Sequence, residues 1–189
     1  RQLAERKRAD EAVMESEKRF HSIAETAGEG IIIFDGQESI SYWNTAAKAI
    51  FGYSGGETLG KLLDTVMLGE FAQVFRQIMQ EAISTGRSDR IGKPIEATGV
   101  RKDGSRFPME LSIAAWKVKD AVFFTTIVRD ITERKRAEEA LREGEERFRA
   151  VFENAADANL LLVDGIHVDC NQAALLMLRA SREQILGHS

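Results

Sequence analysis

One helix-forming phrase occurs twice in this chain, and it constrains the fold more than any other feature. Residues 6–27 and residues 134–155 are identical at 12 of 22 positions, at a constant offset of 128 residues. A repeat at so long an offset is typical of tandem copies of a whole domain and not of a short solenoid unit. We therefore expect linker helices and domains in series, an arrangement that suits the relay of a signal better than a self-contained enzyme.

The repeat divides the chain into four predicted segments. Residues 1–25 are an incoming linker helix, residues 26–131 a complete domain, residues 132–152 a second linker helix, and residues 153–189 the first part of a second domain. Residues 2–26 contain neither Pro nor Gly and are rich in Ala, Glu, Arg and Lys, which favours one continuous helix.

Both linker helices carry small and apolar residues at alternating spacings of four and three. This spacing places them on one seam and favours a parallel two-stranded coiled coil, hence a homodimer through the linker helices. Ser16 and Gly144 interrupt the seam, so the pairing should be weak, as a two-state linker requires. The alternative is a helix that packs on its own domain. The predicted dimer seam comprises Ala9, Val13, Phe20, Ile23, Ala137, Leu141, Phe148 and Val151.

The complete domain has the pattern of an α+β fold. Apolar alternation and turn signals predict the order β-β-α-α-α-β-β-β, which gives a five-stranded antiparallel sheet with helices on one face. In the fourth strand the alternation places Phe107, Met109, Leu111, Ile113 and Ala115 on the buried face. The predicted strands are 31–34, 39–43, 94–101, 106–118 and 121–129, and the two clearest helices are 45–51 and 68–84.

Composition excludes several classes of protein. The net charge of −4 and the pI of about 5.5 leave no overall basic footprint for nucleic acid. No run approaches the roughly 18 apolar residues of a membrane span, and the first residues have no signal-peptide pattern. Cys170 is the single cysteine, which fits a reducing cytoplasm. We therefore expect a cytoplasmic chain with no membrane segment in this fragment.

Three phrases identify a family when their order and spacing are taken together. They are Asn-Thr-Ala-Ala at 44–47 followed by Phe-Gly-Tyr-Ser at 51–54, then Arg-Lys-Asp-Gly-Ser at 101–105, then Val-Arg-Asp-Ile-Thr-Glu-Arg at 128–134. In these phrases the chain resembles the PAS domains of bacterial signalling proteins. The resemblance covers residues 20–133, and the second copy resembles the first as far as it extends.

The resemblance implies a sensory or interaction module that dimerises and encloses a small pocket between sheet and helices. It also implies a downstream effector domain in cis, commonly a histidine kinase or a cyclic-dinucleotide cyclase. The segment of Asp130, Ile131 and Thr132 would couple the last strand to the outgoing helix, with Thr132 as a helix cap and Asp130 paired with Arg134 or another base. A ligand-free structural spacer that only dimerises is the competing hypothesis.

The residues narrow the choice of cofactor. PAS domains that bind haem commonly use an axial His on the long helix, and residues 68–84 contain none. Light-sensing covalent flavin chemistry needs a Cys, which the complete domain lacks. Non-covalent flavin or a small apolar ligand remains, although the same residues also suit a plain core, and Asn44 is better explained as a helix cap. The candidate pocket comprises Asn44, Phe75, Met79, Ile113, Phe124, Thr126 and Val128.

The sequence contains no pattern typical of catalysis or of a metal site. The CxxC and HExxH spacings are absent, and the complete domain pairs no Ser or Cys nucleophile with a His. We therefore expect this fragment not to be an enzyme.

Overall fold

The computed structural model describes residues 2–67, 70–86 and 88–188, without the side chains of residues 2–10 and of Glu70. The chain divides into two compact units between Glu133 and Arg134.

The first unit follows the predicted order of elements. The long helix predicted from residue 68 begins at Glu70, and Leu68 lies outside the described residues. The elements are α1 (Gln2–Thr26), β1 (Gly30–Asp35), β2 (Ile40–Trp43), α2 (Thr45–Phe51), α3 (Gly55–Thr58), a 3-10 turn (Leu63–Thr65), α4 (Glu70–Thr85), β3 (Ile95–Val100), β4 (Arg106–Val118) and β5 (Ala121–Asp130).

The five strands form one antiparallel sheet in the order β2-β1-β5-β4-β3, which confirms the predicted fold class. The first strand of this unit therefore lies beside its last, so that β1 and β5 are internal and β2 and β3 are the edges. In one row across the sheet, Ile32 of β1 pairs with Trp43 on one side and with Thr126 on the other, and Thr126 pairs in turn with Ile113.

The core lies between one face of the sheet and helices α2 and α4. Alternate residues of β4 are buried from Phe107 to Ile113, as the pattern predicted. Ala115 was expected on the same buried face, but it is exposed. Strand β3 pairs with β4 only as far as Leu111, so β4 from Ala114 to Val118 lies at the edge of the sheet and is exposed, although Phe124, the partner of Ala115 in β5, is buried.

Helix α5 (Thr132–Asn154) begins in the last two residues of the first unit and continues into the second. The second unit also contains β6 (Leu160–Val163), β7 (Ile166–Cys170), α6 (Gln172–Leu178) and α7 (Arg182–Ile185). Strands β6 and β7 pair as an antiparallel hairpin, and a small buried cluster forms around Cys170, Ala174 and Ile185. The linker helix predicted over 132–152 thus runs two residues further, to Asn154.

Gly99 of β3 supplies the first prediction, because the core leaves no room for a side chain there. A Cβ at this position would lie 2.6 Å from two ring atoms of Phe107 and 3.0 Å from Sδ of Met109. Gly99→Ala is therefore expected to lower the free energy of unfolding by about 1–3 kcal/mol, the usual cost of overpacking. Urea denaturation measures the loss. Gly56→Ala is the control, since nothing lies within 4 Å of its Cβ position, and an equal loss in both variants would contradict the explanation.

Candidate functional site

Asn44 joins three segments of the first unit through one buried carboxamide. Its Oδ1 accepts hydrogen bonds from the backbone N–H of Ala47, at 2.9 Å, and of Ile31, at 2.8 Å. Its Nδ2 donates to the carbonyl oxygens of Ala24, at 2.7 Å, and Glu29, at 3.0 Å. The side chain thus caps α2, holds the start of β1 and holds the end of α1.

This arrangement corrects the sequence-based pocket at one position. Asn44 was included as a pocket residue, but its oxygen and its amide hydrogens are already bound by backbone groups, so it is not available to a ligand. The preceding residue, Trp43, lies on the core face, where its ring packs against Phe51 with centroids 5.3 Å apart.

The other six candidate pocket residues are brought together in the core. They share almost complete burial: Phe75, Met79, Ile113, Phe124, Thr126 and Val128. Thr126 is the one polar member, and its Oγ1 finds no hydrogen-bond partner among the described residues. The buried Nε1 of Trp43 likewise finds none. These two donors lie on either side of Ile32 in the sheet row, and neither was predicted to be unpaired.

The segment between β5 and α5 is built around Asp130. Its Oδ1 accepts from the backbone N–H of Thr132 at 2.9 Å and from the Thr132 hydroxyl at 2.6 Å. Thr132 was predicted to be the cap, but it is the first helical residue, and the Asp130 carboxylate supplies the acceptor. Ile131 between them is buried, and its N–H donates to the carbonyl oxygen of Pro108 at 3.1 Å.

Arg101 is the base that pairs with Asp130, at 2.5 Å between Nη2 and Oδ2. Its guanidinium also donates to the carbonyl oxygen of Ile50 and lies 3.9 Å from the centre of the Phe107 ring. Arg134, the base named in the sequence prediction, forms an ion pair with Glu138 at 3.8 Å within the second unit. Arg101 was missed as a partner, although it begins the Arg-Lys-Asp-Gly-Ser phrase that helped to identify the family.

Burial and hydrogen bonds at these contacts shift the pKa values of Asp130 and Tyr42. Burial opposes ionisation of Asp130, but hydrogen bonds from Thr132 and Arg101 outweigh it and hold its pKa below the ordinary 3.8. The contacts of Asp130 therefore stabilise the folded state at pH values above 3.8. This stabilisation is lost only as the pH falls through the lower pKa of the folded state. Burial and then the hydrogen bond to Glu25 raise the pKa of Tyr42 to about 12.

The predicted dimer seam is exposed in each unit by itself. Val13, Phe20 and Ile23 of α1 are 57%, 51% and 71% exposed, and no described side chain of α5 is buried. Phe20 nevertheless packs on Tyr42 of β2, with ring centroids 5.6 Å apart. Ala9 lies outside the residues whose side chains are described. The seam positions of α5 are Ala137, Leu141, Phe148 and Val151, all exposed.

Comparison with known proteins decides the family. The family model described as PAS domain matches residues 28–133, more than half of the chain, and a second PAS model matches residues 146–188. The chain belongs to the PAS domain family. The first unit is a complete PAS domain, and the second contains the matching first part of another.

Two relatives are sensor or kinase proteins, and the chain spans only about a quarter of each. It is 31% identical over 141 residues to Sensor protein FixL of Bradyrhizobium diazoefficiens, which covers 75% of this chain and 28% of that protein. It is 30% identical over 190 residues to Sporulation kinase E of Bacillus subtilis, which covers 100% of this chain and 25% of that protein. The PAS domains are thus homologous to parts of sensor kinases.

Solved structures support the fold. The PAS domain of an HTR-like protein from Haloarcula marismortui aligns with a TM-score of 0.55 and 24% identity, over 66% of this chain and 99% of that one. At this identity the likeness establishes the fold alone. Among the described residues, no helix is long and apolar enough to cross a membrane, and no group of three or more acidic, His or Cys side chains is arranged to hold a metal.

The second PAS unit repeats the Asn44 junction. Asn171 accepts at Oδ1 from the N–H of Asn159 and of Ala174, both at 2.9 Å, and donates to the carbonyl oxygen of Asp157 at 2.9 Å. The same residue therefore fixes the same corner of the fold in both copies.

Asn44→Ala is expected to lower the free energy of unfolding of the first PAS domain by about 2–4 kcal/mol. The substitution removes a helix cap and leaves buried backbone groups without partners. Denaturation followed by the fluorescence of Trp43 measures the loss. Asn154→Ala serves as the control, because that side chain is exposed and, among the described residues, bonds to the Ala150 carbonyl oxygen of its own helix. A loss below about 1 kcal/mol in Asn44→Ala would contradict the assigned role.

Proposed function

We propose that this chain is a cytoplasmic sensory and dimerisation module of a signal-transduction protein, with an effector domain of the histidine kinase type in cis. A change in the PAS core would pass through Asp130, Ile131 and Thr132 into α5. The observation that carries the proposal is the Arg101–Asp130–Thr132 chain of contacts, which ties the start of α5 to the body of the domain.

The contacts of Arg101 explain how a change in the core would reach α5. One side chain touches the end of α2 through the Ile50 carbonyl, the core through the Phe107 ring, and the output segment through Asp130. A shift of β4 against β5 alters these distances together, because Met109 pairs directly with Asp130 in the sheet. The start of α5 would then lose its acceptor or change its direction.

The energy of this link is of the right size for a switch. Arg101 and Asp130 are 27% and 28% exposed, so the ion pair is partly screened by solvent. Loss of a helix-start acceptor costs about 1 kcal/mol. A two-state linker whose states differ by a few kcal/mol responds to a change of that size.

The seam residues support dimerisation through the linker helices. The exposed apolar positions recur at heptad spacing along α1 and α5, and charged pairs such as Arg142 with Glu139 and Glu146 surround them. The homology to sensor kinases supports an effector in cis, and a cyclic-dinucleotide cyclase is the alternative effector. A single buried thiol, Cys170, supports a reducing compartment.

A second candidate function, ligand sensing, is favoured by the two unpaired donors of the core. A buried hydroxyl or indole N–H without a partner costs free energy, so a ligand that offers acceptor atoms beside Trp43 and Thr126 would be stabilised there. The surrounding residues are apolar, which favours a flat or aliphatic small molecule and disfavours a strongly charged one. The flat ring system of a non-covalent flavin meets this description, whereas the phosphate of a flavin nucleotide does not. Haem lacks a His ligand on α4, which has none between Glu70 and Thr85.

The relay proposal predicts that Asp130→Ala loosens the first turn of α5. Amide hydrogen exchange in residues 132–136 is expected to rise about five- to tenfold, in keeping with the loss of about 1 kcal/mol. In the full-length protein the same variant is expected to hold the output at one level, with or without stimulus. The control is Asp120→Ala, an exposed aspartate in the β4–β5 turn. Normal exchange and a normal stimulus response in Asp130→Ala would overturn the relay.

The ligand proposal predicts that Thr126→Val removes a small molecule that copurifies with the wild-type chain. Native mass spectrometry and the absorbance spectrum of the freshly purified protein measure occupancy. Thr98→Val is the matched control, because Thr98 is exposed on β3. If the wild-type core is empty and Thr126→Val is more stable by about 1 kcal/mol, the spacer hypothesis is favoured. The buried hydroxyl would then only lower the stability of the fold.

A further inference from the structure

We propose that Glu25 is a latch that fastens the incoming helix α1 to the first PAS domain and transmits displacement of that helix into the domain. The inference rests on the proposed sensory function. It supplies an input contact at the N-terminal side of the domain, whereas Asp130 lies at the C-terminal side. Neither the candidate pocket nor the Asp130 segment includes this residue.

The carboxylate of Glu25 makes three hydrogen bonds to the domain. Oε1 accepts from the Tyr42 hydroxyl at 2.8 Å, and Oε2 accepts from the Thr45 N–H at 2.9 Å and the Thr45 hydroxyl at 2.5 Å. Tyr42 is in β2 and Thr45 is the first residue of α2. One side chain in the last turns of α1 is therefore bonded to a strand and to the next helix.

Packing reinforces the latch on one side. The rings of Phe20 and His21 lie 5.6 Å and 6.3 Å from the Tyr42 ring, measured between centroids, so α1 contacts this tyrosine over more than one turn. The backbone of its last turn is also bonded to the domain through the Ala24 carbonyl and Nδ2 of Asn44, and Ala24 is buried. Release of Glu25 would leave these contacts and the ring packing on Tyr42 to hold the helix.

Asn44 gives the latch a route into the sheet. It lies directly before Thr45, and it also binds the N–H of Ile31 at the start of β1. A pull on α1 that breaks the Glu25 bonds therefore acts on Thr45 and Asn44 together. These residues begin α2 and hold the strand that pairs with β5, the strand that ends at Asp130.

The second PAS unit keeps the latch and changes its chemistry. Glu153 is the equivalent of Glu25, and it accepts from the N–H of Gln172 at 3.2 Å. Its other oxygen pairs with Arg182 at 2.7 Å, and Arg182 also pairs with Asp169 at 3.0 Å. Asp169 and Arg182 stand where the first copy has Tyr42 and Gly55. The carboxylate is retained, but a phenol partner is replaced by an ion-pair network.

This difference gives the two copies different responses to salt. An exposed ion pair weakens as salt shortens the screening length, whereas a hydrogen bond from a neutral phenol depends on it much less. Helix α5 should therefore be released from its domain at high salt more readily than α1. The comparison is internal to one chain, so differences in preparation do not affect it.

Hydrogen exchange with mass spectrometry on the whole chain tests the latch. Glu25→Ala is expected to speed exchange about tenfold in residues 20–27 and at least about threefold in residues 45–51. Glu15→Ala is the matched control on the same helix, because Glu15 is exposed and forms an ion pair with the exposed Arg19 four residues along. Both substitutions introduce the best helix former, so loss of helix propensity does not explain faster exchange. Tyr42→Phe, which removes one bond and keeps the ring, is expected to give an intermediate effect.

Several outcomes would overturn the inference. Exchange in residues 20–27 within twofold of the Glu15→Ala control would show that Glu25 does not fasten the helix. Faster exchange in residues 20–27 with no change in residues 45–51 would show attachment without transmission. In wild type, raising salt from about 0.05 M to about 1 M should speed exchange in residues 148–154 and change residues 20–27 by less than twofold. Equal responses would contradict the assigned difference between the copies.

The test of the Glu25 latch can be distinguished from the test of the relay through Asp130. Asp130→Ala is read in residues 132–136 and Glu25→Ala in residues 20–27 and 45–51. If only Asp130→Ala has its expected effect, the latch is wrong and the relay stands. If only Glu25→Ala has its effect, the latch stands as a contact, and the output must leave the domain by another route.

Discussion

The buried carboxamide of Asn44 is the interaction on which the geometry of the first PAS domain depends. It bonds to two backbone N–H groups and two backbone carbonyl oxygens. These groups come from α1, from the α1–β1 connection, from β1 and from α2. Leaving such groups buried and unpaired costs about 1–3 kcal/mol each. The four segments therefore stay together or separate together, and the end of the incoming helix is fixed as part of the domain. Asn171 repeats this arrangement in the second copy.

The outgoing side of the domain is held more weakly than the incoming side. Asp130 bonds to Thr132 and Arg101, but both members of the ion pair are more than a quarter exposed. Solvent screens such a pair and limits its worth, whereas the carboxamide of Asn44 is almost fully buried. A signal that strains the domain is therefore expected to break contacts at the start of α5 before those around Asn44.

Periodicity predicted the fold well and the functional contacts poorly. The strands and helices of the first unit follow from alternation and turn residues, because each element buries one face. Long-range polar contacts leave no such period. Arg101 lies 29 residues before Asp130, and nothing in the spacing of charges selects it over Arg134. Ala115 was placed on the buried face because alternation does not reveal where β4 loses its neighbour β3 and becomes the edge of the sheet. Glu25 carried a signal that was available, since it is one of the identities between the two copies.

None of the described side chains of α5 is buried, so packing against its own domain does not stabilise the middle of this helix. An isolated helix of this length is marginal in water, and exposed pairs such as Arg142 with Glu139 and Glu146 add only a few tenths of a kcal/mol each. Stability must therefore come from its ends and from whatever covers Leu141, Phe148 and Val151. The ends are Asp130 on one side and Glu153 on the other, each a carboxylate with a partly exposed Arg partner. If α5 pairs with a second copy, as we propose, the pairing would cover an apolar seam on a helix that is held mainly at its two ends by screened contacts. That pairing would then respond to small changes at either domain.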